Sequence, residues 1–342
     1  MSTYENLHGR RINVVSSNPS NPKEGEVWYN STLGTLKGYV LGTAAWTSGG
    51  ALNTKRSATI AGTVTAGLAS FGYIYSPSSP VGGSYATEEY NGTAWTSVNN
   101  GNTQRYQTSS VGTQTAAVAY GGLNGTTEPG PYTMSSSFEG YNGTTWTNLT
   151  SAPLTRAGDP PMVGTSTALA QVCGNSNASG EPSNTTQEYN GSWSTGENYP
   201  ISVQGLSGAG IQTASVHMAG ATNAPGSSMV TTANEYDGTD FSATGSLTDA
   251  SRNFGGRTGT QTAAVFAGGI SPFNQKTLDY DGSTFSLNPA TQVTTRPSIG
   301  QGKMSGTAAT AALVCGSGGT PTLTNTEEFA GAVVETKTLT TG

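Results

Sequence analysis

The chain has 342 residues, only 10 % of them charged, and a formal net charge of −6. Disordered chains combine high charge with few aromatic residues, whereas this sequence contains 15 Tyr, 8 Phe and 5 Trp, so a folded protein is expected. The negative charge argues against binding to nucleic acid or to a membrane surface, and the absence of an 18-residue apolar run argues against a membrane span.

Residues 1–50 differ in character from the rest of the chain. The first 15 residues lack the apolar core of a secretion signal, which predicts synthesis in the cytoplasm. A polar linker at 16–22 precedes three short predicted strands, at 25–30, 36–40 and 45–47. We expect residues 1–50 to form a docking segment of short β-hairpins. The alternative is a partial seventh repeat, because Tyr39 precedes Tyr90 by one repeat length.

A six-residue phrase recurs from residue 90 onward, every 44 to 51 residues. It reads Tyr-Asn-Gly-Thr-Ala-Trp at Tyr90–Trp95 and Tyr-Asn-Gly-Thr-Thr-Trp at Tyr141–Trp146, and shortened or altered copies begin at Tyr189, Tyr236, Tyr280 and Phe329. Asn-Gly and Asp-Gly favour the positive φ angles of a tight hairpin turn, and flanking aromatic residues are typical of paired antiparallel strands.

A second phrase precedes each hairpin, most clearly at Thr115–Gly122 and Thr262–Gly269. It predicts a buried strand of small residues ending in glycine, and a short polar strand lies upstream of it. Each repeat then has four antiparallel strands, named a to d in chain order. About six such repeats fill residues 51–342, which predicts an all-β fold, a β-propeller with six four-stranded blades; seven blades is the alternative.

The repeats resemble those of kelch proteins. Gly121-Gly122 and Gly268-Gly269 match the kelch glycine doublet. The acidic residue before the repeated Tyr matches the acidic–aromatic pair, although Gly140 replaces the acid in the second repeat. This resemblance implies a propeller that binds a ligand or a protein, because few kelch-like propellers are enzymes.

The N-terminal segment resembles a module common in bacteriophage tail and virion proteins. The residues that carry this resemblance are Pro22, the run Gly25–Asn30, the run Leu36–Tyr39 and Trp46. It covers about 30 residues and implies a structural and adhesive virion component, synthesised in the cytoplasm of the bacterial host. Its partners would be other virion proteins, through residues 1–50, and a host surface glycan or receptor. A cytoplasmic propeller that holds a protein partner is the alternative.

Residues suited to catalysis are scarce. The two histidines, His8 and His217, are far apart in the sequence and are interpreted as a solvated residue and a packing residue. No cofactor, no metal ion and no enzymatic activity are therefore expected. Cys173 and Cys315 are predicted to occupy the same place, at the end of strand b, as buried free thiols.

The long loops after strand b should share one face with the d–a connections, and binding is usually located on such loops. Tyrosines in or beside these loops could stack on sugar rings: Tyr73, Tyr75, Tyr85 and Tyr132. On strand d, Trp95 and Trp146 are expected to pack between neighbouring blades.

Five arginines recur at the predicted start of strand a: Arg56, Arg105, Arg156, Arg252 and Arg296. The fourth repeat lacks one, with Gln204 nearby. Two interpretations apply to them. In the first, they pair with carboxylates or carbonyls between blades and hold the ring closed. In the second, they surround the channel mouth and bind an anionic sugar or phosphate through their guanidinium forks. We favour the first, because a repeated position in a repeat protein usually serves the repeat itself.

Overall fold

The computed structural model describes residues 12–74, 82–125, 132–224, 226–295, 304–317 and 323–339. These residues form β-strands joined by turns and contain no helix, which confirms the all-β prediction. None of them accordingly belongs to a helix able to cross a membrane. The chain divides into two compact units, which we call the terminal unit (Met1–Ala45 and Gly331–Gly342) and the repeat unit (Trp46–Ala330).

The strands follow one another with short connections. The first are β1 (Asn13–Val15), β2 (Val27–Asn30), β3 (Thr35–Leu41), β4 (Ala45–Gly49), β5 (Ser57–Thr63), β6 (Ala66–Ile74), β7 (Gly82–Gly83), β8 (Thr87–Tyr90) and β9 (Trp95–Val98). Next come β10 (Ser109–Thr113), β11 (Ala116–Tyr120), β12 (Leu123–Asn124), β13 (Thr133–Met134), β14 (Phe138–Tyr141), β15 (Trp146–Asn148), β16 (Met162–Gly164), β17 (Leu169–Val172), β18 (Thr186–Tyr189) and β19 (Trp193–Gly196). The last are β20 (Ser207–Ile211), β21 (Ala214–Met218), β22 (Ala233–Tyr236), β23 (Phe241–Ala243), β24 (Phe254–Thr260), β25 (Ala263–Gly268), β26 (Thr277–Tyr280), β27 (Phe285–Asn288), β28 (Met304–Ala308), β29 (Ala311–Ser317), β30 (Leu323–Ala330) and β31 (Val334–Thr338).

In the repeat unit the strands form antiparallel meanders in the order a-b-c-d. The first five repeats are β5-β6-β8-β9, β10-β11-β14-β15, β16-β17-β18-β19, β20-β21-β22-β23 and β24-β25-β26-β27. The sixth is β28-β29-β30-β4, so its strand d comes from the N-terminal part of the chain. Strand a of each repeat contacts strand a of the next. This is a β-propeller-like fold, in which strand b carries buried alanines such as Ala69, Ala119 and Ala170.

The terminal unit contains a separate sheet in the order β1-β2-β3-β31. Strand β1 runs parallel to β2, and the other pairs are antiparallel. Trp28 is fully buried and donates from Nε1 to Asn18 Oδ1 (3.2 Å), which also accepts a bond from Asn30 Nδ2 (3.1 Å). Both ends of the chain therefore contribute to this unit.

These pairings differ from the predicted division at residue 50. The three N-terminal strands form as expected, but only β2 and β3 belong to the terminal unit, whereas β4 belongs to the sixth repeat. The C-terminal strand β31, assigned by the sequence to the propeller, pairs with β3 instead. Strands β2, β3 and β4 do not form one sheet, which a partial seventh blade would require.

Three of the four tryptophans of strand d connect neighbouring repeats through the same hydrogen bond, whereas Trp193 donates to the Thr150 carbonyl (3.1 Å). Trp146 Nε1 donates to Thr87 Oγ1 of the preceding repeat (3.0 Å), and its ring lies 5.0 Å from that of Phe71, also of the preceding repeat. Trp95 donates to Thr326 Oγ1 (2.8 Å), which joins the first repeat to the sixth. Trp46 donates to Thr277 Oγ1 (2.8 Å), so it takes the role of Trp95 and Trp146 in the sixth repeat.

The repeated acidic–aromatic pair forms a second connection, which explains why both residues recur. Four of the repeated Tyr hydroxyls donate to the acid of the preceding repeat, not to their own neighbour. The bonds are Tyr141 to Glu89 (2.8 Å), Tyr236 to Glu188 (2.8 Å), Tyr280 to Glu235 (2.7 Å) and Tyr90 to Glu328 (2.5 Å). Gly140 has no carboxylate to accept such a bond, and Phe329 has no hydroxyl to donate one.

The glycine doublet occupies two positive-φ positions at the end of strand b. Gly121 has a φ of 71° and Gly122 one of 98°, and a Cβ on Gly121 would lie 2.5 Å from the Arg156 carbonyl oxygen. Cys173, in the same place in the third repeat, adopts a φ of 59° without being glycine. Cys315 pairs with Thr326 as Val172 pairs with Thr186. The prediction that the two cysteines are equivalent is therefore wrong by one residue, although both are buried and unbridged.

The Asn-Gly turns of the first two repeats are four-residue loops closed by the asparagine side chain, whereas that of the third repeat has three residues between Tyr189 and Trp193. In the first repeat Tyr90 pairs with Trp95. Asn91 Oδ1 accepts bonds from the backbone N–H groups of Thr93 and Ala94 (2.9 Å each). Gly92 has a φ of 90°, whereas Asn91 does not adopt a positive φ. The turn therefore needs one positive φ angle, not the two of a tight two-residue hairpin.

Candidate ligand-binding surface

Arg56 and Arg105 are completely buried, and their guanidinium groups bond within their own repeats. Arg56 pairs with Glu88 and donates from Nε to the Phe71 carbonyl (2.9 Å). Arg105 pairs with Glu139 (2.8 Å) and donates to two carbonyls of strands and turns in the same repeat. Burial lowers the pKa of Arg105, and the Glu139 carboxylate opposes this shift. The hydrogen bonds of both thus lie within one sheet, while the Arg105 guanidinium also lies 4.6 Å from the ring centroid of Phe71 in the preceding repeat.

The remaining arginines do not continue this pattern. Arg156 is buried and bonds to the Thr155 carbonyl (2.8 Å) and to hydroxyls, with no carboxylate among its described hydrogen bonds. The backbone of Ser251 pairs with Val230 in the same way that Arg105 pairs with Ser84, so Ser251 occupies the position predicted for an arginine. Arg252 lies one residue later. Arg252 therefore matches the position of Gln204, and only part of it is buried. Arg296 lies outside the described residues.

Two of the four predicted ligand-binding tyrosines come together on the loop face. Tyr73 and Tyr132 both pack against Tyr106, with ring centroids 5.2 Å and 6.0 Å away. Tyr73 and Tyr132 are half-buried, whereas Tyr106 is buried and contacts Leu123 and Ala157 in the same cluster. Tyr106 was not predicted from the sequence. It directly follows Arg105, and the arginine is the residue of this segment that recurs from repeat to repeat.

The other two predicted tyrosines are not part of this aromatic cluster as described. Tyr85 is 47 % exposed and has no ring contact with another described aromatic residue. Tyr75 lies outside the described residues. The observed aromatic surface therefore consists of Tyr73, Tyr106 and Tyr132, and it joins the first two repeats.

A ladder of backbone bridges extends this surface from repeat to repeat. Ser84 pairs with Arg105, and Tyr106 pairs with Leu123. Bridges equivalent to the one between Tyr106 and Leu123 occur in the third and fourth repeats, where Ala157 pairs with Asn175 and Gln204 pairs with Ala221. Because each segment before strand a pairs with the loop after strand b, the ladder holds the bases of these loops in fixed positions.

His217 is a packing residue in the fourth repeat. It is fully buried, and burial lowers its pKa to about 3, so the imidazole is neutral in solutions of ordinary pH. Its Nε2 lies 3.0 Å from Ser215 Oγ, and its ring contacts Phe241 and Tyr199. His8 lies outside the described residues.

The described residues contain no group of three or more His, Cys, Asp or Glu side chains arranged to bind a metal ion. Glu181, a loop acid of the third repeat, is exposed, and its backbone N–H bonds to Asn177 Oδ1 (3.1 Å). The chemistry that this surface offers is therefore aromatic stacking and hydrogen bonding by neutral amides and hydroxyls.

No protein-family model matches the sequence, and no curated protein matches it. Among solved structures, the chain is similar to one described as "Structure of YjhT", with a TM-score of 0.64 and 13 % sequence identity. The similarity covers 83 % of this chain and 99 % of that chain. At this identity the likeness shows the fold alone.

Proposed function

We propose that the repeat unit is a closed, six-bladed, kelch-like β-propeller. Three contacts between the first and sixth repeats support closure. They are the Trp95–Thr326 bond (2.8 Å), the Tyr90–Glu328 bond (2.5 Å) and a bond from Ser305 Oγ to the Gly62 carbonyl (2.6 Å). Strand β4 adds to them, because it completes the sixth sheet with a strand from the other end of the propeller.

On this scaffold, the chain acts as a structural and adhesive component of a bacteriophage virion. The observation that carries the proposal is the division into two units, of which the terminal unit joins the N-terminal strands to β31 in a sheet of its own. A separate compact unit can attach to a particle while the repeat unit binds a ligand. The phage-module resemblance supports this assignment, because most of its residues, from Pro22 to Tyr39, lie in the terminal unit.

The propeller binds its ligand through the loop face, and a host surface glycan is the partner that the aromatic cluster fits. Half-buried Tyr73 and Tyr132 are held by the buried ring of Tyr106, so little side-chain entropy is lost on binding. Tyrosine rings offer flat apolar faces on which the C–H faces of a sugar can stack, together with hydroxyls that form hydrogen bonds.

The virion assignment is tested on particles purified by density gradient from cells that produce the chain. Mass spectrometry and immunogold labelling with an antibody against residues 46–330 should both find the chain in the particles. A variant lacking residues 1–44 and 331–342 should accumulate as a folded protein that the particles do not contain. If the full chain stays in the soluble fraction, bound to a cytoplasmic protein, the virion proposal is refuted and the adaptor alternative takes its place.

The loop-face assignment is tested with fluorescently labelled full chain and bacterial cells, measured by flow cytometry. We expect binding to host cells that falls at least tenfold when Tyr73 and Tyr132 are both changed to Ala. The matched control is Tyr29→Ala, an exposed tyrosine of the terminal unit. Equal binding by the double variant and the control would contradict the aromatic surface as the contact.

A further inference from the structure

Strand β31 (Val334–Thr338) is an edge of the terminal unit's sheet. It pairs with β3 on one side, and no described strand lies on its other side. Every residue of β31 after Val334 is exposed, so the side chains along this edge are accessible to solvent. An uncovered edge of this kind offers its backbone N–H and C=O groups to a strand of another chain.

The hydrogen bonds that flank the β3–β31 pairing show which residues of β31 direct their backbone groups outward. Gly42 N–H donates to the Val333 carbonyl, and Leu339 N–H donates to the Leu36 carbonyl (2.9 Å each). Hydrogen-bonded positions alternate in an antiparallel pair, so the odd-numbered residues of this stretch bond to β3. The backbone groups that point away from β3 therefore belong to the even-numbered residues: Val334, Thr336 and Thr338.

The sequence of β31 is complementary to itself when two copies run antiparallel. If Thr336 of one copy faces Thr336 of a second copy, each Glu335 faces the Lys337 of the other copy. Val334 then faces Thr338, so all three outward-facing residues of each copy lie in hydrogen-bonded pairs. The charged residues fall in the non-hydrogen-bonded pairs between them, where opposing side chains lie closest.

The same two charges disfavour the neighbouring registers. Only even-numbered residues can bond across this edge, so the smallest change of register shifts one copy by two residues. Such a shift places either Glu335 opposite Glu335 or Lys337 opposite Lys337. Like charges directly opposite each other destabilise a strand pair, whereas opposite charges stabilise it. The charges of β31 therefore select the register centred on Thr336.

Glu335 and Lys337 form an exposed ion pair within β31. Lys337 Nζ lies 2.9 Å from Glu335 Oε1, and 53 % and 47 % of the two side chains are accessible to solvent. Pairing with a second copy places each carboxylate between two ammonium groups, in a set of four charges of alternating sign. An exposed ion pair contributes little to folding, so exchanging these charges should leave the fold of one chain unchanged.

We propose that the terminal unit binds a second copy of this chain, through antiparallel pairing of β31 with itself about a two-fold axis at Thr336. The two four-stranded sheets join into one continuous sheet, and the same surface serves both copies. Five residues from each chain bury much less than about 1,200 Å², so the association is weak and depends on concentration. This inference concerns contacts between copies and goes beyond the proposed virion and glycan-binding roles.

Sedimentation velocity of the full chain, at concentrations from about 2 to about 200 µM, measures a dissociation constant in the micromolar range. We expect a monomer–dimer equilibrium. Glu335→Lys and Lys337→Glu should each weaken self-association about tenfold, because each places like charges opposite one another across the two-fold axis. The matched controls, Glu24→Lys and Lys23→Glu, reverse exposed charges of the same unit outside β31 and should associate like the native chain.

Two combinations of these changes restore opposite charges. In a mixture of Glu335→Lys with Lys337→Glu, one chain carries two lysines and the other two glutamates, so the two variants should form a mixed dimer. The double variant Glu335→Lys, Lys337→Glu exchanges the charges within one chain and should associate with itself like the native chain. A purely structural effect of either single change would not be reversed in this way.

Thr336→Pro tests the backbone contribution. It removes the N–H at the centre of the pairing, which does not bond to β3, and proline is tolerated where the N–H of an edge strand points away from the sheet. We expect a monomer at every concentration, with the circular-dichroism spectrum and melting temperature of the native chain. If this variant unfolds, the charge variants decide.

A native chain that stays monomeric over the whole range refutes the proposal. A dimer that neither charge variant weakens also refutes it, because another surface then holds the two copies together. If both variants are weakened but their mixture does not associate, the pairing of Glu335 with Lys337 is refuted. The proposed virion and glycan-binding roles are tested separately, on particles and on cells, so they can stand if this inference fails.

Discussion

Replacing Arg105 with glutamine should lower the free energy of unfolding by about 3 kcal/mol or more. The variant leaves Glu139 buried without its cation, and breaking a buried ion pair by removing one partner costs about 3–5 kcal/mol. The bond of Arg105 to the Ser137 carbonyl (3.0 Å) is also lost, while glutamine can still reach one acceptor. This estimate exceeds what an exposed ion pair would give, because neither side chain is accessible to solvent.

The third repeat supplies the matched comparison. There Arg156 has no carboxylate among its described bonds, and Gln187 stands in the place of Glu139, accepting the Leu154 N–H (3.1 Å). Arg156→Gln should therefore cost about 1–2 kcal/mol, since no unpaired charge remains. The double variant Arg105→Met, Glu139→Gln removes both buried charges and should be more stable than Arg105→Gln alone.

Urea unfolding followed by tryptophan fluorescence measures these differences. The midpoint should shift while the slope against urea concentration stays constant, because the surface exposed on unfolding is unchanged. Losses for Arg105→Gln and Arg156→Gln that agree within about 0.5 kcal/mol would refute the role of the buried Glu139 charge, since surface-like effects fall in that range.

Three further predictions concern the boundaries and the seams of the repeat unit. Deleting the terminal unit should leave the repeat unit folded, as measured by circular dichroism. Deleting residues 1–50 also removes β4 and should lower the free energy of unfolding by about 3 kcal/mol or more, because Trp46 is lost. Equal stability of the two truncations would contradict the role of β4. The buried hydroxyl of Thr186 has no hydrogen-bond partner among the described residues, because Phe241 replaces tryptophan in the next repeat. Thr186→Val should therefore stabilise the chain by about 1 kcal/mol, whereas Thr326→Val, which loses a bond from tryptophan, should destabilise it by a similar amount in the same urea assay. Burial and the bond to the neighbouring carboxylate raise the pKa of Tyr90 to about 12, so the folded state favours the neutral phenol and its stability should be complete below pH 10 and fall as the pH approaches 12; a Tyr90→Phe variant with the same alkaline profile would argue against this.

Much of the repeat unit was accessible from sequence because its signals are local. The phrase from Tyr90 to Trp95 places two strands and their turn within six residues, and the strands pair as predicted. The glycine doublet likewise marks the end of strand b, since two successive positive φ angles favour glycine.

Partners distant in the sequence could not be read from such patterns. The Tyr141 hydroxyl bonds to Glu89 of the preceding repeat, whereas the sequence suggested only that acid and tyrosine recur side by side. The assignment of β4 to the sixth repeat did leave a signal. Ala45-Trp46-Thr47-Ser48 matches Ala94-Trp95-Thr96-Ser97, and no such phrase follows Phe329.

The candidate site shows the same division. Tyr73 and Tyr132 were predicted from loop composition, which is a local property. Tyr106, against which both rings pack, was not predicted. Its burial depends on Leu123 and Ala157, which approach it in space and carry no pattern that sequence reasoning could use.

Strand β4 is synthesised long before the other strands of the sixth repeat, and this order determines when that repeat can fold. Strand β4 ends at Gly49, but the strands of the sheet that it completes begin only at Met304. At about 5–20 residues per second, a ribosome needs on the order of tens of seconds to make the intervening chain. During that time the edge of β4 that will pair with β30 has no partner strand. The edge of β3 that will pair with β31 also has no partner strand. Neither unit can be finished before β30 and β31 have been made, so a chain that terminates before them leaves both units incomplete.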